Sequence, residues 1–189
     1  MCKLCEKQPV YEFTNKKKLC KNCFIYWFEK KFLYTVRKFK LFSLGEKVSF
    51  EDNGDFSSAV LKNCLFILEK GSRISLLKHN LKKGFDKFAL NSTLDDESYE
   101  FILSLLNNKF SNKILFPKNG KIVRPLYLFL DKEVKLYADL KKLKYSPKKR
   151  KENEWTKFID EMEKLHPELK QATMQSYLKL SGKEDKNLK

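Results

Sequence analysis

The chain opens with four cysteines arranged as two short-spaced pairs, Cys2-x2-Cys5 and Cys20-x2-Cys23, with fourteen residues between the pairs. Each pair can sit on a backbone knuckle and offer two thiolates, so that together they complete one tetrahedral ion site. Between them, Pro9-Val10-Tyr11-Glu12-Phe13 has the composition of a strand, and Asn15 and Lys16 supply a polar turn. That layout is a zinc-ribbon hairpin. Two disulfides, or four unrelated thiols, are the alternatives. The start of the chain is polar and charged, unlike a secretory signal, so a cytoplasmic setting is expected, and there disulfides are disfavoured. Zinc held structurally by Cys2, Cys5, Cys20 and Cys23 is therefore the expected cofactor. Its binding, about 10–16 kcal/mol in small zinc modules, would fold a segment that has little core of its own. The fifth cysteine, Cys64, lies in the apolar run from Val60 to Leu68 and reads as a core thiol.

These elements are carried on a basic chain. Its 189 residues have a formal net charge of +16, enough length for one α/β domain beside the small metal module. No apolar run approaches a membrane span, and no membrane partner is expected. The charge is clustered: residues 1–40 hold eleven Lys or Arg against three Glu, and 141–151 hold seven basic residues and no acid. Clustered positive charge beside a ribbon points to nucleic acid. The excess is almost wholly lysine, however, which genome composition or growth temperature can also produce.

The second cysteine knuckle runs into a helix expected over 22–42, with Ile25, Phe28, Phe32, Val36 and Phe39 on one apolar face. Lys30, Arg37 and Lys38 lie opposite, interleaved with Trp27 and Tyr34. That face is either a solvated surface or a phosphate-tracking one with rings for unpaired bases. Further on, a strand is expected at Val48–Phe50, a polar turn over 51–55 and helices over 57–69 and 73–82. A strand at 85–90 follows, then a helix capped by Thr93 and reaching Asn108. Strands at 114–116 and 122–123 flank the Asn119-Gly120 turn, and helices are expected over 131–143, 155–165 and 168–180. Alternating strands and helices imply an α/β parallel sheet.

Taken in order, the cysteine pairs, Gly45-Glu46-Lys47-Val48, Gly84-Phe85, Leu94-Asp95-Asp96-Glu97, Arg124-Pro125-Leu126, Glu133-Val134 and Tyr137-Ala138 resemble a known family, the cytosolic tRNA 2-thiouridine synthetases of the PP-loop ATPase superfamily. The resemblance implies a reduced Rossmann-like, adenine nucleotide alpha-hydrolase-like sheet with flanking helices behind an N-terminal zinc ribbon. It also implies ATP-driven adenylation of a tRNA uridine followed by sulfur insertion. The expected division is a zinc ribbon over 1–24, a connecting helix over 25–43, a reduced PP-loop-like core over 44–145, C-terminal helices over 146–180 and a disordered tail over 181–189.

The chain departs from the family where its chemistry lies. Where the family carries Ser-Gly-Gly-Lys-Asp-Ser, this sequence reads Asn53-Gly54-Asp55-Phe56-Ser57-Ser58. The family's glycines let backbone N–H groups approach phosphate at a helix N-terminus. Here a carboxylate replaces the second glycine. One carboxylate about 5 Å from a phosphate charge costs roughly 3 kcal/mol at an effective dielectric of 20. Tight binding of ATP and magnesium is accordingly not expected. The segment that carries a Cys-x2-Cys pair in the family is replaced by a direct passage from Leu68-Glu69-Lys70 to Gly71-Ser72-Arg73, and Ser146-Pro147 stands where a third catalytic cysteine would precede proline. Those cysteines hold an iron–sulfur cluster or carry persulfide in the family, so no iron–sulfur cluster is expected here.

Asp95 and Asp96 are candidate nucleotide-proximal residues, or simply acids that complement a helix dipole. The degenerate loop is Asn53, Gly54, Asp55, Ser57 and Ser58. The RNA-contacting candidates are Lys30, Lys31, Arg37, Lys38, Lys148, Lys149 and Arg150, joined by Lys16, Lys17 and Lys18. The expected function is a catalytically degenerate, tRNA-binding or accessory member of the thiolation family. tRNA and either an active thiolation enzyme or a sulfur carrier protein are its expected partners. The alternatives are a working ATP-dependent sulfurtransferase fed by an external sulfur carrier, and a zinc-ribbon scaffold for protein contacts.

Overall fold

The computed structural model describes residues 1–81, 83–106, 116–148 and 153–180. Two short strands, β1 (Tyr11–Glu12) and β2 (Lys18–Leu19), pair antiparallel as a hairpin. Its turn is closed by Lys16 at φ 63° and by the Asn15 side chain, which accepts from the Lys17 N–H. Helix α1 (Lys21–Lys38) follows at once. It buries Phe24, Phe28, Phe32, Thr35 and Val36, a stripe at helical spacing. The helix ends four residues before the expected Phe42, because Lys40 turns into left-handed backbone at φ 47°.

The main sheet has five strands in the order β4-β3-β5-β7-β6. Strand β3 (Glu46–Phe50) lies at its heart, parallel to β4 (Ile74–Leu76) on one side and β5 (Lys87–Ala89) on the other. Strand β7 (Ile122–Val123) continues the parallel set beside β5, and β6 (Lys118–Asn119) closes the edge antiparallel to β7. Gly120, at φ 57°, opens the two-residue loop of that hairpin, where a positive φ is what tight hairpin turns demand. The expected α/β class stands, with a mixed rather than wholly parallel sheet.

One expectation fails outright. The segment 73–82 does not form a helix. Its first residues form edge strand β4, and Asn80 at φ 56° breaks any helical path. A strand therefore follows the first core helix after a short turn.

Helix α2 (Phe56–Lys70) packs on α4 (Asp131–Leu140), which in turn packs on α1. Phe28 stacks on Tyr137 at 4.2 Å between ring centroids and leans on Phe129 at 4.4 Å. One apolar core runs unbroken from Cys2, Leu19 and Cys20, through α1, to Val48 and Phe50 of the sheet and Val134 of α4. The ribbon is thus fused to the α/β body. A second core joins α3 (Leu94–Leu106) to α6 (Leu169–Leu180) through Leu94, Phe101, Met174 and Leu178, with α5 (Glu154–Leu165) beside both. Among the described residues no helix is long and apolar enough to cross a membrane.

Candidate metal centre and nucleotide loop

The four N-terminal sulfurs converge as their spacing predicts: all lie within 4.8 Å of one another. Cys5 Sγ is 3.3 Å from Cys20 Sγ and 3.5 Å from Cys23 Sγ. The first knuckle is set by the Cys2 N–H donating to the Lys7 carbonyl and by Glu6 at φ 58°. The second is the entry to α1, where Cys20 occupies the extended N-cap position. An ideal tetrahedron with bonds of about 2.3 Å has edges of roughly 3.8 Å, so the sulfur spacing fits one ion directly. Burial pushes the Cys2 thiol up, but the backbone amides of Leu4, Cys20 and Cys5 outweigh it and bring it down to about 6. Hydrogen bonding from the Cys23 backbone likewise lowers Cys20. Both shifts favour the thiolate, the form that binds metal. Hydrogen bonding to Cys5 holds Cys23 up at about 12, and Cys5, despite the Lys7 amide, is itself raised by Cys20.

The loop after β3 is organised in the opposite way, with its donors turned onto its own side chains. Asp55 is the N-cap of α2, and its Oδ1 accepts from the Ser58 N–H at 2.8 Å. The Asn53 N–H donates to Ser58 Oγ at 2.9 Å, and the Gly54 N–H to Asp52 Oδ1 at 3.0 Å. Asn91, arriving from the end of β5, donates to Ser58 Oγ at 2.8 Å. Ser146 closes over the loop, its N–H donating to the Gly54 carbonyl at 2.8 Å. Gly54 itself needs to be glycine, at φ 74°. The loop thus lies where an open α/β sheet places its ligands, beyond the carboxyl ends of central strands. Yet a carboxylate of the chain already occupies the helix N-terminus that would receive a phosphate.

Asp95 and Asp96 stand beside this loop as helix caps and counterions. Asp96 Oδ2 accepts from the Thr93 N–H at 2.9 Å, and Asp95 Oδ2 accepts from the Asp131 N–H at 2.7 Å. Lys148 inserts its ammonium between Asp96 (2.7 Å) and Asp131 (3.0 Å), and Lys170 pairs with Asp95 and Glu163. Burial works against the Lys148 charge, but Asp131 and Asp96 hold its pKa above the ordinary value. Lys148 was expected to contact phosphate; instead it is a counterion, its side chain 16% exposed. Sequence reasoning missed Asn91, Asp131 and Lys170 as members of this cluster, because three separate segments bring them together.

Two more expectations change on α1. Lys31 is not a phosphate contact, since it donates to Glu133 Oε2 at 2.8 Å beneath the rings of Trp27 and Phe129. Trp27 packs against Phe13 and Phe24, so it is not a ring on offer to bases. Lys30 and Arg37 do face outward, while Lys38 is half-buried against the Phe39 ring. Glu133 and Tyr137 act between helices: Tyr137 Oη lies 2.9 Å from Glu29 and 3.0 Å from Asn63. Cys64 is fully buried, which pushes its thiol up, as expected of a core residue. Lys149, Arg150 and the tail 181–189 lie outside the described residues.

No family model matches the chain. It is 35% identical over 79 residues to a probable sulfurtransferase of Methanocaldococcus jannaschii, a match covering 39% of this chain and 23% of the relative. The aligned stretch is therefore less than a quarter of that curated relative's length. Among solved structures it is similar to the U34-tRNA thiolase NcsA from Methanococcus maripaludis, solved with its [4Fe-4S] cluster. That likeness has a TM-score of 0.71 at 18% identity and covers 95% of this chain and 86% of that one. The cluster overturns the expectation that iron–sulfur has no place here: a protein of this fold carries one, and four converging thiolates are a donor set for a cluster as well as for an ion. The chain has the α/β fold of a U34-tRNA thiolase and a sequence relative named as a sulfurtransferase, and its resemblance to the tRNA thiolation enzymes stands.

Proposed function

We propose that this chain is a tRNA-binding accessory protein of uridine thiolation whose nucleotide loop no longer takes ATP. The observation that carries this reading is the Asp55 carboxylate bonded to the Ser58 N–H at the first turn of α2. A phosphate arriving there would have to displace a capping bond worth about 1 kcal/mol and then sit against the displaced charge. Glu51 and Asp52 add two more acids on the same stretch. The names of the relatives support tRNA and sulfur transfer as the setting, and the outward-facing Lys16, Lys30 and Arg37 supply cations for phosphate.

The four-cysteine centre holds the ribbon on the α/β body in this reading, and zinc suits its single-ion spacing. Metal analysis together with the visible absorbance of an iron–sulfur cluster decides which group is bound. Equilibrium dialysis against ATP and magnesium tests the loop, and binding below about a millimolar is not expected. Gel shifts with total tRNA test the partner. Affinity should fall with salt, and the log–log slope should flatten by about 0.7–0.9 for each phosphate contact removed at Lys16, Lys30 or Arg37. A tRNA affinity indifferent to salt would end the reading. Micromolar ATP binding would revive the alternative of a working sulfurtransferase fed by an external sulfur carrier, which the name of the sequence relative favours.

A further inference from the structure

The outer face of α1 carries a stripe that alternates ring and cation. Tyr26, Lys30 and Tyr34 follow one another at intervals of four, so they stack along one face, with Arg37 one turn beyond Tyr34 and also exposed. The two rings are unusually open for tyrosine, Tyr26 at 59% and Tyr34 at 48% exposed. Lys30 Nζ lies over the Tyr26 ring, 4.9 Å from its centroid, so cation and ring are presented together. The face also lacks acid. The helix contains a single carboxylate, Glu29, and it is turned inward to Tyr137 Oη at 2.9 Å and Lys141 Nζ at 3.1 Å. The remaining aromatics of α1, Phe24, Trp27, Phe28 and Phe32, belong to the core or pack against it. Tyr26 and Tyr34 stand outside that core.

We propose that this stripe takes an unpaired stretch of RNA, its bases stacking on Tyr26 and Tyr34 and its phosphates meeting Lys30 and Arg37. The proposal rests on the tRNA-binding reading above and names the part of the RNA involved. In a duplex the bases are already stacked and their faces are closed to side chains, whereas a loop offers them. Eight residues of helix place the two rings about 12 Å apart along the axis. That separation spans roughly three stacked nucleotides at about 3.4 Å each, so the stripe addresses a short single strand.

The test uses the full metal-loaded chain with a dodecameric oligouridylate, a duplex RNA of equal length, and total tRNA. Y26A and Y34A are each expected to weaken oligouridylate and tRNA binding roughly five- to hundredfold, while duplex binding changes little. Y26F and Y34F should restore it, because stacking needs the ring and not the hydroxyl. K30Q should flatten the single-strand salt slope by about 0.7. Unchanged circular dichroism and metal content would show that the variants fold. The proposal is overturned if the alanine variants bind oligouridylate as tightly as the parent, if they lose duplex and single strand equally, or if they lose a protein partner while RNA binding persists. In each of those cases salt-dependent binding of tRNA by the parent leaves the broader reading intact. If the parent binds neither tRNA nor oligouridylate, both fall.

Discussion

The four-cysteine ribbon and the loop after β3 each bring polar groups to one point, and they treat their donors in opposite ways. In the ribbon, two knuckles turn four sulfurs toward a common point, all within 4.8 Å of one another, with Cys2 and Cys20 drawn toward the thiolate. In the loop, the Ser58, Asn53 and Gly54 N–H groups are bonded to Asp55, Ser58 and Asp52 of the same turn. A polar site that satisfies itself is stable without a guest. One that gathers four sulfurs at a single point, with one another as side-chain partners, is a metal donor set that a guest completes. The contrast implies that the ribbon depends on its ligand for folding while the loop keeps its shape alone.

Removing the metal should give the largest effect. Chelation, or C20S, is expected to remove about 10 kcal/mol of metal-coupled folding free energy. Hydrogen exchange should then become rapid across residues 1–24. Protection that persists in the metal-free chain would break the contrast. Next in size is K31A. It strands Glu133, whose side chain is 3% exposed, without its partner on the helix that joins ribbon to body, and loss of one member of a buried pair costs about 3–5 kcal/mol. K30A, on the exposed face four residues along from Tyr26, should stay within about 0.5 kcal/mol. Urea melts of the two variants check the difference.

A smaller effect is expected at the loop. D55A removes one cap and should cost about 1 kcal/mol, read in the same melts, with the metal content unaltered. The least is a pH effect. Asp131 and Asp96 raise the pKa of Lys148, and Asp95 and Glu163 that of Lys170, each against the opposing pull of burial. A raised lysine contributes its stability fully below the unfolded value of 10.5 and loses it as pH climbs through the folded one. The stability contributed by these raised lysines should therefore hold through neutral pH and decline in strong alkali. The K148M variant should lack the Lys148 share of that alkaline limb, with the Lys170 share left in place.

Much of the ribbon was legible because its signal is local. Cysteine spacing, a strand and an Asn-Lys turn are all read within two dozen residues, and α1 announced its apolar face by period. The loop was legible through the resemblance and through the charge of Asp55. What the sequence hid depends on distant partners. Lys31 looked like one more surface lysine, because Glu133 lies 102 residues away. Trp27 looked exposed, because the ring that covers it, Phe13, comes from the hairpin. Ile74, Leu77 and Leu81 recur at helical spacing, and only pairing beside β3 makes β4 a strand. Lys148 read as part of a basic run, yet two acids from other segments claim it. The spacing of Tyr26 to Lys30 and Tyr34 is, by contrast, a local signal that the sequence does carry.

Equilibrium dialysis of the metal-loaded chain against labelled ATP with magnesium bears most directly on the self-satisfied loop. No saturable binding at millimolar nucleotide is expected, and S58A should change nothing. Saturation in the micromolar range, abolished by S58A, would show triphosphate seated on the turn from Asn53 to Ser58 and would contradict the account.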